Sequence, residues 1–405
     1  MKQNLKSIFP NNPASKPSSK PASTRKKIVD RFLISLFFLG IWSPLAIGIF
    51  KLEPNLYGSA NSASNWENRE LAQLPALSFN LQFLPKFPQK FEAYYNDNFG
   101  GRQVLIRWHN LLKATVFGIS PVERVAIGKE GWLFYANPTV VRDYRATNPF
   151  TPEELDRWQR ILEQRRDWLA ARGIHYLFII VPNKHTLYPE FLPDSFQRLG
   201  RESRLDQLVN RLNARSDIAI LDLRSTLRKA KQKYRVYHRN DSHWNKPGVF
   251  SAYTEIIKTL KVWFPELAPL PSSAFKKEIV YRQGGDLATM LGLEHIWLEE
   301  VLKFSPRFAL LARKVEPGIS RPGLPLERQP FATEVDDPTL PRAVMFHDSF
   351  ALNLAPLISE NFQRILFVRQ YEFDAELIDK EQPDLVIQEM VERNLMSPLP
   401  DDPPF

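Results

Sequence analysis

The stretch "TPEELDRWQRILEQRRDWLAARGIHYLFIIVP", residues 151–182, joins a helix pattern directly to a buried-strand pattern. Thr151 to Glu154 form a capping box with proline at the first helical position, which predicts a helix as far as Arg172. The apolar run 174–181 that follows predicts a strand covered on both faces. Strands of this kind belong to parallel sheets flanked by helices.

The same alternation continues along the chain and predicts an α/β domain with a largely parallel sheet. A helical stretch broken at Gly100 and Gly101 precedes this domain, and a hairpin leads into it. The further predictions are helices at 89–117 (the broken stretch), 204–214 and 247–264, a hairpin at 124–135, and strands at 218–223, 342–346, 364–368 and 384–390.

Positive charge is concentrated at the N-terminus. The net charge is +9, and residues 1–31 hold eight Lys/Arg and one acid, or +7, which leaves 9 − 7 = +2 for the remainder. Because the remainder is nearly neutral, this charge distribution indicates a local basic tail and argues against a nucleic-acid-binding domain. The chain has no cysteine, which excludes disulfides, cysteine nucleophiles and thiolate metal sites.

Residues 32–50, "FLISLFFLGIWSPLAIGIF", form an uncharged apolar run of 19 residues, which is long enough to span a bilayer. The cations before it predict a cytoplasmic N-terminus and an extracytoplasmic remainder. A cleaved signal peptide is the alternative, but the run is longer than such segments and small residues follow only at 58–64. We therefore predict an uncleaved, single-pass anchor in the inner membrane, with the main domain facing the periplasm or the exterior.

These patterns predict five segments. They are a disordered basic cytoplasmic tail (1–31), a transmembrane helix (32–50), a tether and helical lead-in (51–120), an α/β domain (121–395) and a Pro-rich tail (396–405).

Two loops follow predicted strands and carry residues suited to catalysis. In "RNDSHWNKPG" (239–248), Asp241 and His243 are two positions apart, and in "FHDSF" (346–350), Ser349 stands between a strand and a helix. Open parallel sheets bind ligands beyond the carboxyl ends of their strands. If the loops meet, the chain supplies a nucleophile, a base and an orienting carboxylate.

Structural roles compete with each of these assignments. A serine after a strand is commonly a helix cap, and a histidine beside a tryptophan is commonly a packing residue. A metal site is a further alternative, because a set of side chains could supply nitrogen and oxygen ligands, although their spacing matches no common zinc motif. That set is His238, Asp241, His243, His347 and Asp348.

The sequence resembles the SGNH-hydrolase-like alginate and exopolysaccharide O-acetyltransferase family (AlgJ/AlgX type). The resemblance covers roughly residues 66–395 and rests on seven segments in the family's order. They are "ENRELAQLP", "GKEGWLFY", "VPNKHTLYP", "NDSHWNKPG", "GGDLATML", "FHDSFALNL" and "PDLVIQEMVERNL". It implies a three-layer, flavodoxin-like SGNH fold that is circularly permuted, so that the Asp-x-His loop precedes the serine.

The resemblance implies that Ser349 is the nucleophile, His243 the general acid and base, and Asp241 the carboxylate that orients it. It implies no cofactor and no metal, and it leaves the oxyanion hole unassigned apart from the Ser349 amide. Ser242 is then a bystander between Asp241 and His243.

Other residues near the strand ends are candidates for substrate binding, and several neighbours have structural interpretations. Asp286 is interpreted as a helix N-cap, and Glu389, Glu392 and Arg393 as a salt-bridged strand end. The candidate substrate-binding residues are Lys184, Tyr188, Trp244, Arg369 and Tyr371.

The implied activity is transfer of acetyl groups to polysaccharide hydroxyls through an acetyl-serine intermediate. The implied partners are a polysaccharide acceptor and an integral-membrane O-acyltransferase that delivers the acetyl group. Three alternatives stay open: a carbohydrate acetylesterase with the same triad, a non-catalytic glycan-binding or scaffold component, and a metallohydrolase.

Overall fold

The computed structural model describes residues 22–50, 70–76 and 84–397. The chain divides into two units, Met1–Ile106 and Arg107–Phe405, and every described strand belongs to the second. The predicted tail up to residue 21, the tether at 51–69 and 77–83, and the C-terminal residues 398–405 lie outside the described residues.

The secondary structure of the described residues alternates helix and strand through most of the second unit. The helices are α1 (Ala22–Phe50), α2 (Phe87–Asn98), α3 (Arg102–Thr115), α4 (Pro138–Arg145), α5 (Pro152–Ala170), α6 (Lys184–Leu187), α7 (Arg204–Arg215), α8 (Arg224–Lys231), α9 (Lys246–Leu260), α10 (Asp286–Met290), α11 (Ala351–Ile358) and α12 (Ala375–Glu381). The strands are β1 (Val125–Ile127), β2 (Leu133–Tyr135), β3 (His175–Val181), β4 (Ile220–Asp222), β5 (Phe275–Arg282), β6 (Glu299–Pro306), β7 (Arg313–Val315), β8 (Phe331–Glu334), β9 (Arg342–Phe346), β10 (Arg364–Val368) and β11 (Leu385–Val391).

A seven-stranded sheet in the order β4-β3-β11-β9-β10-β8-β7 forms the centre of the second unit. The first five strands of this order run parallel, and β8 and β7 are antiparallel additions at one edge. Phe346, at the end of β9, is level with Val368 of β10 and Gln388 of β11. The segments that leave these three strands therefore meet at one edge of the sheet.

The sheet lies between two layers of helices, which confirms the predicted three-layer α/β arrangement. Along β3, Leu177 and Ile179 pack in one hydrophobic cluster with α8, α9 and α11. Phe178 and Ile180 pack in a second cluster with α5, α7 and α12. Successive side chains of a strand point to opposite faces, so the continuous apolar run in β3 fills both.

The predicted elements agree closely with those in the structure. Thr151 and Glu154 form the expected capping box at the start of α5, and β9 and β10 have the predicted bounds. The β1–β2 hairpin and the break between α2 and α3 are also confirmed. Gly101 has φ +76, a backbone conformation that favours glycine and ends the helical path.

The first helix begins earlier than predicted. It starts at Ala22, so residues 22–31, which we predicted to be disordered, are helical. Lys and Arg have good helix propensity, which allows the helix to extend through the basic segment. Within the described ranges, no helix has the length and apolar character that a membrane span requires. The span at 32–50 therefore stays a prediction.

The hairpin formed by β5 and β6 and the edge strands β7 and β8 were not predicted. In β5 the exposed and half-buried positions alternate, and only Phe275 is buried. The strands β7 and β8 have three and four residues. The β5–β6 hairpin and the edge strands β7 and β8 all lack the long apolar run that identifies a central strand.

Candidate active site

The loop between α8 and α9 carries the Asp-x-His pair and is closed by its own hydrogen bonds. Tyr237 and Trp244 form an antiparallel bridge, and Asn245 accepts a hydrogen bond from the Gly248 amide at 3.2 Å at the start of α9. Gly248 is required here, because a Cβ at this position would lie 2.2 Å from the carbonyl oxygen of Val236. The loop therefore has a defined shape before any ligand binds.

The turn after β9 presents Ser349 at the carboxyl edge of the sheet. Asp348 accepts a hydrogen bond from the Phe350 amide at 2.8 Å, and its second oxygen accepts one from the Val391 amide at 2.8 Å. The His347 amide donates to the carbonyl oxygen of Val368 at 3.0 Å. The turn that carries Ser349 is thus held by both neighbouring strands, β10 and β11.

The structure brings the two loops together. His243 Nδ1 lies 2.8 Å from Asp241 Oδ1, and His243 Nε2 lies 2.8 Å from Ser349 Oγ, although His243 and Ser349 are 106 positions apart. The indole nitrogen of Trp244 donates to the carbonyl oxygen of Phe350 at 3.0 Å, which joins the loop to the turn. This is the order of contacts in a Ser-His-Asp triad.

Asp241 is held as an anion. Its Oδ1 also accepts the His243 amide hydrogen at 3.0 Å, and its Oδ2 accepts a hydrogen bond from Arg282 at 3.1 Å. Burial raises the pKa of Asp241, but hydrogen bonding and charge interactions with His243 outweigh burial and hold the pKa well below its usual value. Asp241 is therefore a suitable orienting carboxylate.

His243 is biased towards its protonated form. Burial lowers the pKa of His243, but hydrogen bonding and charge interactions with Asp241 and Asp286 outweigh burial and raise that pKa to about 9. A general base must be neutral to accept a proton, so the resting site is best able to accept one in alkaline solution.

The Ser349 amide is available as an oxyanion donor. It donates to no acceptor among the described residues, and it lies at the turn just before α11. An amide in this place can stabilise the negative oxygen of a tetrahedral intermediate formed at Ser349 Oγ.

Two cavities meet at Ser349. Both are lined by Ser349, Arg393 and Asn394. The larger, about 600 Å³, lies beside His243 and is also lined by Tyr135, Asn137, Thr139, Val140, Ser242, Asp286, Met290, Met396 and Ser397. The smaller, about 420 Å³, is also lined by Arg328, His347, Asp348, Arg369, Gln370, Tyr371 and Glu372.

Three residues predicted to bind substrate are buried and act as supports instead. The Lys184 ammonium donates to three main-chain carbonyl oxygens, and the Tyr188 hydroxyl accepts the Val236 amide hydrogen at 2.8 Å. Burial lowers the pKa of Lys184 to about 7, partly offset by Glu299. Trp244 is only 1% exposed. The prediction failed because burial of these loops depends on packing between distant segments.

Arg369 and Tyr371 lie in the smaller cavity, as expected for residues that follow β10. The Tyr371 hydroxyl donates to Asp348 at 2.8 Å. Burial, together with the charge of Asp348, raises the pKa of Tyr371 above its usual value, so the hydroxyl stays protonated as a donor. Contact of either residue with a substrate stays a prediction.

The segment after β11 differs from the predicted salt-bridged strand end. Glu389 is fully buried and accepts the Asp348 amide hydrogen at 3.0 Å, and burial raises its pKa well above the usual value. The Arg393 guanidinium lies 5.2 Å from the ring centre of Phe350 and lines both cavities. Glu389 thus supports the turn that carries Ser349, and the Arg393 side chain lies beside Ser349.

Asp286 is the main site residue that the sequence did not reveal. The N-cap of α10 is Gly285, and Asp286 instead accepts hydrogen bonds from the Ser242 amide at 2.7 Å and the Ser242 hydroxyl at 2.5 Å. Its carboxylate also lies 3.4 Å from His243 Nδ1. The paired glycines before Asp286 were the signal in the sequence, since such a pair indicates a close approach of the main chain to another segment. That segment is the Asp241 loop, because a Cβ on Gly285 would lie 2.2 Å from Asp241 Oδ2.

In the part of the chain that the structure describes, the side chains grouped closely enough to hold a metal ion are Asp241, His243 and Asp286, whose ligand atoms lie within 4.8 Å of one another. His243 Nδ1 would have to serve as the ligand between these carboxylates, but it is engaged with Asp241. The other proposed ligands are used elsewhere: His238 contacts Glu299 at 3.3 Å, and His347 is directed at the Asp348 carbonyl oxygen at 2.6 Å. The hydrogen bonds favour a triad over a metal centre.

Comparison with known proteins gives a consistent similarity. Residues 125–308 match the family model described as "SGNH hydrolase-like domain, acetyltransferase AlgX". The probable alginate O-acetylase AlgJ of Pseudomonas aeruginosa is 26% identical over 272 residues, which are 66% of this chain and 65% of that protein. The corresponding protein of Azotobacter vinelandii is 27% identical over 221 residues, 54% of each chain. The chain thus spans less than two thirds of the length of these curated relatives.

Solved structures resemble the chain more distantly. The O-acetyltransferase domain of Pseudomonas putida AlgJ has a TM-score of 0.44 and 17% identity, and the match covers 68% of this chain and 94% of that one. A DHHW family protein from Eubacterium siraeum has a TM-score of 0.49 and 14% identity, over 66% of this chain and 90% of that one.

Proposed function

Because this chain resembles the SGNH-hydrolase-like alginate O-acetyltransferases of the AlgJ/AlgX type, we propose that it acetylates hydroxyls of an exopolysaccharide through an acetyl-Ser349 intermediate. The observation that carries the proposal is the position of His243, which lies 2.8 Å from both Asp241 Oδ1 and Ser349 Oγ. The order Asp241, His243 and then Ser349 along the chain also agrees with the permuted SGNH arrangement.

The first half-reaction forms the acetyl-enzyme. Ser349 Oγ attacks the carbonyl carbon of a donor acetyl ester while His243 Nε2 accepts the hydroxyl proton, and Asp241 stabilises the imidazolium. The Ser349 amide stabilises the oxyanion. When the carbon–oxygen bond of the ester breaks, His243 returns its proton to the departing alcohol, which leaves acetyl-Ser349.

The second half-reaction transfers the acetyl group to the acceptor. His243 takes the proton from a sugar hydroxyl as its oxygen attacks the acetyl-serine carbonyl carbon. The bond to Ser349 Oγ then breaks, and His243 protonates this oxygen, so the free serine is restored. The larger cavity is lined by His243 and Ser349, and it provides room for a sugar ring beside the nucleophile.

An acetylesterase is the second candidate, because water can replace the sugar hydroxyl in the second half-reaction. The cavity of about 600 Å³ beside His243 is a specific reason to consider it, since that space admits water as readily as a sugar.

The setting of the reaction is part of the proposal. The apolar segment 32–50, preceded by eight cations, supports a single-pass anchor in the inner membrane with the catalytic domain on the periplasmic or exterior side. A donor delivered by an integral-membrane O-acyltransferase fits that setting. Protease treatment of intact and lysed spheroplasts tests the orientation. In intact spheroplasts, which lack the outer membrane, we expect the protease to cleave the catalytic domain. Protection of the domain until the inner membrane is opened would contradict the proposed orientation.

The test of function supplies the full-length protein with a chromogenic acetyl ester, with and without acetyl-free oligosaccharides, and follows the acetyl group by mass spectrometry. We expect acetylated oligosaccharide, and release of acetate alone would favour the esterase. Ser349→Ala should lower the rate by about 10³-fold or more, because triad residues act as a unit.

The matched control is Ser251→Ala in α9, whose hydroxyl donates to the Pro247 carbonyl oxygen at 2.8 Å. It should keep the full rate. A Ser349→Ala protein that is as active as this control would show that Ser349 is not the nucleophile.

A further inference from the structure

We propose that Asp286 is a positioning residue for His243, so that two carboxylates rather than one hold the imidazole during catalysis. The inference rests on the function proposed above, since it requires His243 to act as the base. It goes beyond that function because it adds a residue on a separate element, α10, to the machinery of proton transfer.

The first observation is the position of the Asp286 carboxylate. Its Oδ2 lies 3.4 Å from His243 Nδ1, the nitrogen that Asp241 Oδ1 approaches to 2.8 Å. The shorter contact has hydrogen-bond length, while the longer one places a second negative charge on the same side of the ring. Asp241 therefore orients the ring, and Asp286 adds to the field that favours imidazolium.

Ser242 holds Asp286 in this position. Its amide donates to Asp286 Oδ1 at 2.7 Å and its hydroxyl to Oδ2 at 2.5 Å, so both oxygens of the carboxylate are fixed. The serine between the two triad residues is therefore not the bystander that we expected. It links the Asp-x-His loop to α10.

The main chain joins the same two segments. The Gly285 amide donates to the Asn240 side-chain oxygen at 3.1 Å, and the Ala288 amide donates to the Asn240 carbonyl oxygen at 3.2 Å. These bonds tie the main chain of α10 to the loop, and the hydrogen bonds from Ser242 hold the Asp286 side chain on it. Its place beside His243 is thus built into the fold.

The charged groups around His243 predict the sign of the effect. Asp241 faces the ring from its own loop and Asp286 faces it from α10. Arg282 of β5 opposes them by pairing with Asp241 Oδ2, and Arg393 lies over the ring of Phe350, which packs 4.8 Å from the His243 ring. Loss of the Asp286 charge alone should lower the pKa of His243, because one of its two anionic partners disappears.

The second carboxylate has opposing effects on the reaction. It stabilises the imidazolium that forms when His243 takes a proton, which assists both half-reactions. It also keeps more of the resting enzyme protonated near neutral pH, which reduces the fraction able to act as a base. Removal of the charge should therefore cost most activity at high pH and least at neutral pH.

Asp286→Asn in the full-length protein tests this through the pH dependence of kcat/KM for a chromogenic acetyl ester. We expect the pKa of the acid limb to fall by about one unit, because opposite charges within 4–6 Å shift a pKa by one to three units. The high-pH plateau should fall severalfold, and Asp286→Glu should restore part of it. A protein weakened only in structure would lose activity equally at every pH.

The matched control is Glu294→Gln, which removes a carboxylate from the segment that follows α10. Glu294 faces Arg107 at 3.7 Å and His295 at 3.4 Å, not His243. The acid-limb pKa of the Glu294→Gln variant should equal that of the unmodified enzyme.

The inference would be overturned if the acid-limb pKa of Asp286→Asn equalled that of Glu294→Gln. It would also be overturned if Asp286→Asn lost the same fraction of activity at every pH. Loss of unmodified-enzyme activity with a chelator, restored by a divalent ion, would also overturn it, because Asp286 would then be a ligand. Failure of the proposed function is a separate outcome, seen as undiminished activity in Ser349→Ala.

Discussion

His243 is the residue through which every proton passes in the proposed reaction. It contacts the nucleophile with one ring nitrogen and Asp241 with the other, so its protonation state governs both half-reactions. Asp241 fixes the ring, and Asp286 adds a second negative charge beside it. We therefore expect the reaction rate to depend on pH through the protonation of His243.

The rate should rise with pH in the unmodified enzyme. The pKa of His243 is raised to about 9 by Asp241 and Asp286 against the effect of burial, so the protonated, inactive form dominates below that value. We expect kcat/KM to increase through neutral pH and level off near the His243 pKa. A flat profile from neutral pH upwards would show that His243 is not the titrating base. His243→Asn should remove the titration together with most of the activity.

At the scale of elements, the site depends on the contact between α10 and the Asp-x-His loop. Gly285 packs directly on the Asp241 side chain, since a Cβ at this position would lie 2.2 Å from Asp241 Oδ2 and 2.3 Å from Asp241 Cβ. Asp241 Cβ is bonded directly to the main chain, so it can move aside only if the loop moves with it. A methyl group at position 285 must therefore displace Asp241.

Gly285→Ala should reduce kcat/KM by on the order of 10²-fold, because small displacements of catalytic groups have effects of that size. Gly284→Ala is the matched comparison, as its Cβ would meet the Cβ of Ala288 at 2.4 Å and not the triad. Both variants should lose thermal stability from overpacking. Equal activity per folded molecule in the two variants would mean that Gly285 does not position Asp241.

At the scale of the whole molecule, local patterns predicted the architecture well. The capped helix 151–170 and the apolar strand after it were evident because capping and burial leave marks on adjacent residues. The edge strands β7 and β8 leave no such mark, since they are short and form by pairing across the chain, β8 with β10 and β7 with β8. The parallel core was therefore predictable, and its antiparallel extension was not.

The candidate site was predictable in part for the same reason. Asp241, His243 and Ser349 were found because each stands in a recognisable loop, and the structure brings them within hydrogen-bonding distance. Asp286 was interpreted as a cap, since the contact that gives it significance joins segments 44 positions apart. Lys184 was assigned to substrate for a related reason, because its three carbonyl acceptors lie on distant segments.

The acetyl-Ser349 intermediate is the central claim for the molecule, and it can be observed directly. The full-length protein is mixed with a chromogenic acetyl ester, quenched in acid at short times, digested and analysed by mass spectrometry, with Ser349→Ala treated in parallel. We predict an acetyl group on the peptide that contains Ser349 in the unmodified protein, and neither this adduct nor significant turnover in the variant. Turnover by Ser349→Ala at the unmodified rate, or acetylation of a different residue that accounts for turnover, would contradict the account.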